Sequence, residues 1–558
     1  MGIIEQISIM VWKGVSMRNK NLLILFGTFI LTFIIAPCSF NQYQPNKIIK
    51  IQAKFPSNRS ANSKLINSKT DEVNYVPPFV ERIEMHLTGT DSSGQPIKKD
   101  PVFNRSDNNF TTPLSIYDVP YGSDFNLTVE AYSYNDILTH RGSASAPLIG
   151  SAPGENSISV DFDIESGTHF ENEPITISLS KNAKIGTISP LLFDYCSDIN
   201  DDGDIVFSYV DIPIDVPFMK FLVFNHNQNT PYIPANSPTD NTVTYQTCKF
   251  DNDKLYIPTI KLPSNTTLSV FEFTKSDGNY NFVDERQQIK SWNEGAFSNP
   301  QIDFFQDKII LAWERFLNSI SGTFFQVFTI DGNGYIDFSG GEKLFCDNNC
   351  TKPLIKIVDE DQEAKLAMFS YYSGGPNFTF NVLGKLFNMN GTEYESGGAF
   401  HYYPEEGDIN ISDYYSFTKA IYNNPYILSF ANMHDPAYVE SVYLDTNLAP
   451  APKLGSVPAD VKVNVKQPMI TNIRGVNLIT VFSEESGDGS NEYDIYFYSS
   501  ESFGNSNPQK ELVSGTGDHI IKGTPKIATN DDGLTVISWV GHDMTNDTYN
   551  VYFKRYLF

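Results

Sequence analysis

The chain has 558 residues, with 41 Phe and 30 Tyr, 13% aromatic and 19% charged residues, and a formal net charge of −26. That length exceeds one ordinary core, so two or more domains are expected, and the aromatic-rich, charge-poor balance excludes a disordered chain. The acidic excess, with no basic stripe anywhere in the sequence, excludes nucleic acid as a partner because phosphates are repelled over most of the surface.

Residues 1–16 precede a complete export signal and are expected to lie upstream of the true start at Met17. From Met17 the order is Arg18 and Lys20, an apolar run from Leu22 to Ala36, then Cys38. The run of about 15 residues is short of the roughly 20 that a spanning helix needs, so a cleaved signal over 17–38 is expected. The stretch "IIAPCS" resembles the lipobox of bacterial lipoproteins in its relaxed, spirochaete-type form, with Pro37 where a small residue is usual. The resemblance implies a lipid on Cys38, a membrane partner through that anchor, and an exported address at the outer membrane or cell surface. Plain secretion and a retained helix are the alternatives. With Cys38 set aside, Cys196, Cys248, Cys346 and Cys350 make an even set in an exported protein, and pairing Cys196 with Cys248 and Cys346 with Cys350 is expected. A metal half-site at "CDNNC" lacks its second half.

Residues 39–76 are rich in Asn, Ser, Lys and Gln without sustained periodicity, the composition of a flexible tether. From 77 to 182 the pattern turns to short runs of period two, such as Ile83, Met85 and Leu87, then Phe125, Leu127 and Val129, then Ile158, Val160 and Phe162. Such runs are half-buried strands, and about seven of them fit a small sandwich. Asp118 to Ser145 resembles the Ig-like or prealbumin-like sandwich modules of bacterial surface proteins.

Residues 183–558 repeat. "VFSY", "ILAW", "MFSY", "ILSF", "ITVF" and "VISW" end at Tyr209, Trp313, Tyr371, Phe430, Phe482 and Trp539, and "KLYIP" at 254–258 fills the one double gap. Seven units of about 55 residues emerge, each with a Pro-led strand, an aromatic-ended strand and a third strand, the sequence pattern of a seven-bladed β-propeller. The fold class is therefore all-β, a small sandwich followed by a propeller. Because the last unit ends after its third strand, residues 174–189 are expected to supply its outer strand by pairing near Tyr549 to Tyr556.

Motifs for chemistry are few. Thr529 to Thr535, "TNDDGLT", resembles the Asp-box of sialidases, but it falls between a first and a second strand and reads as an Asp-Gly hairpin turn. The sialidase resemblance also implies an arginine triad, and the propeller has only Arg286, Arg315, Arg474 and Arg555. Other glycosidases need two carboxylates about 5–10 Å apart. Glu314 beside Trp313 and Asp543 beside His542 are the first positions to inspect, with solvated strand-end charges as the alternative. No HExxH, nucleophile elbow, P-loop or dinucleotide fingerprint is present. Asp198, Asn200, Asp202 and Asp204 resemble the calcium loops of EF-hands and the calcium hairpins of integrin-type propellers, although the spacing after Gly203 departs from both. The resemblance implies calcium as the one candidate cofactor, an acidic hairpin being the alternative. These observations point first to an exported surface protein whose propeller is a binding platform for protein or glycan, with no catalytic residue assigned. The alternative is a glycan-active hydrolase with its site in the propeller funnel.

Overall fold

The computed structural model describes residues 47–55, 75–146, 155–178 and 195–558, apart from 449–464 and shorter intervals within those ranges. It is all-β, with seven sheets of antiparallel strands that succeed one another along the chain from Tyr195 as the blades of a propeller. Every aromatic-ended motif forms the second strand of a blade, for example Ile205–Asp211 in blade 1, Lys254–Lys261 in blade 2 and Lys308–Leu317 in blade 3. Blades 4 to 7 repeat this with Glu363–Ser373, Tyr426–Asn432, Asn477–Glu485 and Leu534–Asp543. These strands are apolar on both faces because they lie mid-sheet between neighbouring blades; Trp313, Phe369, Phe430, Phe482 and Trp539 are all buried.

The innermost strands are Tyr195–Ile199, Lys249–Asp251, Ala296–Phe305, Cys350–Glu360, Ile411–Lys419, Val465–Ile473 and Lys526–Thr529. Each touches the next, and the last touches the first, so they close a ring around a central channel. An innermost strand has no strand partner on its channel side, and its free N–H groups need acceptors. Side chains of the preceding blade provide them. Asp198 Oδ2 accepts from Phe250 N at 2.8 Å, Asp303 Oδ2 from Ile357 N at 2.9 Å, Ser416 Oγ from Ile470 N at 3.1 Å and Thr418 Oγ1 from Asn472 N at 3.0 Å.

The ring is clasped as the sequence implies. Ile175–Ser178 pairs antiparallel with Thr548–Leu557, Ile175 opposite Phe553 and Ser178 opposite Asn550, and Thr168–His169 extends the contact to Tyr556 and Leu557. Thr168–His169 and Ile175–Ser178 thus belong to the seventh blade, so the donor stretch expected from 174 begins earlier, inside the range 77–182 read as the sandwich. Residues 179–189 lie outside the described ones.

N-terminal to the ring, eight strands form one sheet, seven of them on a single hydrogen-bonded path and Val102–Asn104 paired beside it to Val80–Asp91; its centre is Val80–Asp91, Gly122–Ser133, Leu138–Ala146 and Glu155–Ile164. The tether expected over 39–76 needs correction. Lys47–Lys54 is a strand, parallel to Glu155–Ile164 and antiparallel to Leu114–Val119, with Ile49 and Ile51 buried. The short alternation Ile49, Ile51 is the signal that the polar composition around it masked.

This sheet and the propeller share one apolar core, which runs from Ile49 and Ile83 through Phe170 and Ile177 to Phe207, Phe224 and Phe553. Within it the Phe553 ring lies 4.9 Å from both Phe207 and Phe224. Arg555 fastens the same junction from inside. It is 1% exposed, its Nε donates to Glu171 Oε1 at 2.6 Å, its Nη1 to His226 O at 3.1 Å, and its Nη2 to the Tyr134 hydroxyl and Asn229 Oδ1. Removing one partner of a buried pair leaves an uncompensated charge, so Arg555→Ala should cost about 3–5 kcal/mol in denaturant unfolding. Replacing both partners, with Glu171→Gln and Arg555→Met, should recover a large part of that loss.

Candidate functional site

The AB hairpins of blades 1 and 7 repeat one tetrapeptide. Asn200-Asp201-Asp202-Gly203 and Asn530-Asp531-Asp532-Gly533 each place glycine at positive φ, +84° and +86°. In each, the asparagine Oδ1 accepts the N–H four residues on, Asp204 N at 2.7 Å and Leu534 N at 3.0 Å. Asn530 Nδ2 also donates to Asn200 O at 3.1 Å, which ties blade 7 to blade 1. The Asp-box-like segment is thus a turn between first and second strands, with a structural duty at the blade junction.

The four residues of the calcium-like loop do not converge. Asp198 turns to the neighbouring inner strand, where it meets Phe250 N and, at 3.8 Å, Lys249 Nζ. Asn200 caps its own hairpin and donates to the Tyr280 hydroxyl at 2.8 Å. Asp202 and Asp204 hold the Lys275 ammonium at 2.8 and 2.6 Å. Burial works against that ammonium, but the two hydrogen bonds outweigh it and push its pKa up to about 12. The cation between these carboxylates is therefore the chain's own lysine, 71 positions downstream of Asp204.

Glu314 is not a solvated strand-end charge. It is 3% exposed and receives Ser298 Oγ at 2.6 Å, Asn299 Nδ2 at 2.7 Å and the backbone N–H of Lys352. Asn299 and Lys352 have positive φ of 46° and 51°, each just before a proline and each inside a register shift of an inner strand. Such conformations cost about 1–3 kcal/mol apiece for residues with a Cβ. Glu314 accepts a donor from each strained residue, so it holds the two bulges in place. Burial, with the Glu314 charge adding to it, raises the pKa of the neighbouring Tyr415 hydroxyl, which donates to Lys352 O. Asp543 lies opposite His519 and His542 opposite Ile520; their side chains are outside the described residues, as is Cys38.

The ring interior holds a group of which the sequence singled out only Asp198. Four successive inner strands contribute Asp198, Lys249, Asp303 and Lys356. Asp198 and Asp303 both act on Lys249, and all three act on Lys356, so the four share one electrostatic environment. Burial raises the pKa of Asp198, against the opposing charge of Lys249. Proximity to Lys249, then burial, lowers that of Lys356. Asp303 receives two backbone donors, Phe304 N at 3.0 Å and Ile357 N at 2.9 Å. The arrangement sets a reluctant acid and a second carboxylate, both largely shielded from water, near two half-buried ammonium groups, which is a setting for proton transfer. The cysteine pairs lie at bridging separations, with Cα atoms 5.6 Å apart for Cys196 and Cys248 and 5.8 Å for Cys346 and Cys350.

No protein-family model matches the chain, and no curated relative does. Among solved structures it is similar to the α-L-arabinofuranosidase of Fusarium graminearum in complex with an iminosugar inhibitor, with 12% identity and a TM-score of 0.38 over 68% of this chain and 97% of that one. An α-L-arabinanase of Penicillium chrysogenum complexed with arabinobiose gives 10% identity and a TM-score of 0.36, over 69% and 98%. A protein of unknown function from Dyadobacter fermentans gives 9% and 0.38, over 70% and 99%. The order of expectations drawn from the sequence is corrected here: a binding platform came first, and the similar propellers include glycan-cleaving enzymes by name. At these scores no residue or mechanism carries across, so any assignment rests on the chain's own groups.

The account of Glu314 has a direct check. Glu314→Ala orphans the donors of Asn299 and Lys352 and should lower stability by about 3 kcal/mol in denaturant unfolding. Ser298→Ala, which leaves those donors served, should cost about 1 kcal/mol or less.

Proposed function

We propose that this protein is a glycan-active hydrolase whose reaction takes place in the central channel of the propeller. The observation that carries the reading is the quartet itself, with Asp198 and Asp303 on alternate inner strands and Lys249 and Lys356 between and beside them. Glycoside hydrolysis needs one carboxyl to protonate the departing oxygen and a second carboxylate to activate water or attack the anomeric carbon. Asp198 is assigned the first role because burial favours its protonated form. Asp303, held by two backbone donors, is assigned the second. Lys249 and Lys356 are assigned the binding of sugar hydroxyls and the stabilisation of negative charge as the bond breaks.

The test is release of reducing sugar from a panel of plant, bacterial and host polysaccharides by the full chain. Asp198→Asn and Asp303→Asn keep an acceptor for Phe250 N and Ile357 N, and each should lower the rate about 10²–10⁴-fold with little loss of stability. Asp198 works protonated, so the rate should fall as pH rises through its elevated pKa. The same group contributes stability that is present below its unfolded pKa and lost as pH rises through the folded one. A panel without any hydrolysis, or full activity in both variants, would overturn the reading.

We further propose that the protein is exported and lipid-anchored through Cys38 as a surface lipoprotein of spirochaete type, with both cysteine pairs oxidised. Intact-mass analysis of the exported protein checks these together. A lipid adduct should be present and should vanish in Cys38→Ala, and Cys196, Cys248, Cys346 and Cys350 should resist alkylation until reduced. Four reactive thiols, or an unmodified wild-type mass, would contradict the respective halves. The N-terminal strands are assigned to an Ig-like or prealbumin-like sandwich on the alternating burial of Ile83, Met85 and Leu87 against Leu127, Val129 and Ala131. An experimental structure with those strands in a single uncovered layer would refute it.

A further inference from the structure

On the polar face of the N-terminal sheet, Glu84 and His86 are two positions apart on Val80–Asp91, and Glu130 on Gly122–Ser133 sits directly opposite Glu84. Like charges in direct cross-strand register repel each other, so the pairing calls for a cation between them. His86 is aimed at the same point, its Nε2 at 3.8 Å from Glu84 Oε2 and 3.8 Å from Glu130 Oε2. One ligand atom from each of the three residues lies within 4.8 Å of the others, the single group of this kind among the described residues.

The surroundings orient each of the three. Asp100 Oδ1 lies 3.0 Å from His86 Nδ1, and Lys98 Nζ lies 3.1 Å from Asp100 Oδ2. Asp100 is thus placed to orient the His86 ring through Nδ1. With Nδ1 engaged by Asp100, Nε2 faces the two glutamates, the arrangement in which an outer carboxylate orients a metal-bound histidine. The outer oxygens of both glutamates are already taken. Arg82 Nε lies 3.0 Å from Glu84 Oε1, and Arg141 Nε lies 3.0 Å from Glu130 Oε1. Arg82 also reaches Asp136 at 2.6 Å, and the Tyr132 hydroxyl donates to Glu130 Oε2 at 2.7 Å. Facing inward are His86 Nε2 and the Oε2 of each glutamate, that of Glu130 already accepting from Tyr132 with one of its two lone pairs.

We propose that Glu84, His86 and Glu130 bind a divalent transition ion of the zinc class, with water at the open position. Imidazole and carboxylate together suit zinc, whose bonds to N and O are about 2.0–2.2 Å. A tetrahedral ion with such bonds separates its ligand atoms by about 3.4 Å, so the two 3.8 Å separations from His86 Nε2 close by a few tenths of an ångström, while the glutamate oxygens start within 4.8 Å of each other. The ion links two adjacent strands and removes the repulsion between Glu84 and Glu130.

The experiment titrates ZnCl2 into the full chain after dialysis against EDTA, in a non-chelating buffer, and follows heat and thermal unfolding. One zinc per chain and a raised unfolding temperature are expected for the wild type. His86→Ala and Glu130→Gln should abolish uptake, Asp100→Asn should weaken it about 10–100-fold by releasing the ring, and His169→Ala should leave it unchanged. Far-ultraviolet circular dichroism and zinc-free unfolding of each variant separate loss of ligand from loss of fold. No zinc uptake by the wild type, or equal uptake by His86→Ala and Glu130→Gln with the fold intact, would overturn the proposal.

Discussion

A strand on the inside of a closed ring has no strand partner facing the channel, and this propeller answers that constraint with side chains. Asp198, Asp303, Ser416 and Thr418 each accept a backbone N–H from the inner strand of the following blade. Glu314 does the same for Lys352 from a second strand. The polar groups around the channel are therefore part of the frame. An acid placed there serves as a backbone acceptor while remaining available for chemistry, and its position is set by the ring to within the tolerance of a hydrogen bond. Residues that act on a substrate benefit from such fixity, because side chains locked by their surroundings lose little freedom when a ligand arrives.

The N-terminal sheet depends on the same ring from below. Its core is continuous with that of blades 1 and 7, and Arg555 draws contacts from Glu171, His226, Asn229 and Tyr134 into one buried point. An isolated buried ion costs more to desolvate than a single pairing returns, so the number of partners matters more than any one of them. Sheet and propeller thus behave as one packed body at this junction, in contrast to domains joined only by a linker.

What the sequence revealed and what it withheld follow from range. The second strands were legible because "VFSY", "MFSY" and "VISW" carry their signal within four residues, and an apolar run ending in an aromatic has few other readings once it recurs in phase. The clasp was legible because a final unit short of a strand implies a donor elsewhere. Lys47–Lys54 was hidden by polar neighbours, its two buried isoleucines too few to stand out. The acidic loop at Asp198 looked like a cation site because its partner, Lys275, belongs to another blade. The channel quartet spans more than a hundred positions, and Glu84 and His86 meet Glu130 only from more than forty positions away, so no local pattern marks either group. Local periodicity reports which strands exist, whereas a site is a property of which strands become neighbours.

The clasp also orders events in time. Ile175–Ser178 precedes every blade in the chain, yet its partner strand Thr548–Leu557 belongs to the seventh and follows the other six. Until then the early strand has no ladder to join, and the growing stack of blades is an open arc with a bare edge at each end. Contacts between such distant segments are slow to form, since closing a long loop loses entropy before the ladder returns it. An open arc with exposed strand edges is also the species most prone to pair with another copy of itself. Circularisation thus waits on the seventh blade, and until then the strand edges at the two ends of the arc are open to a chaperone or to a wrong partner.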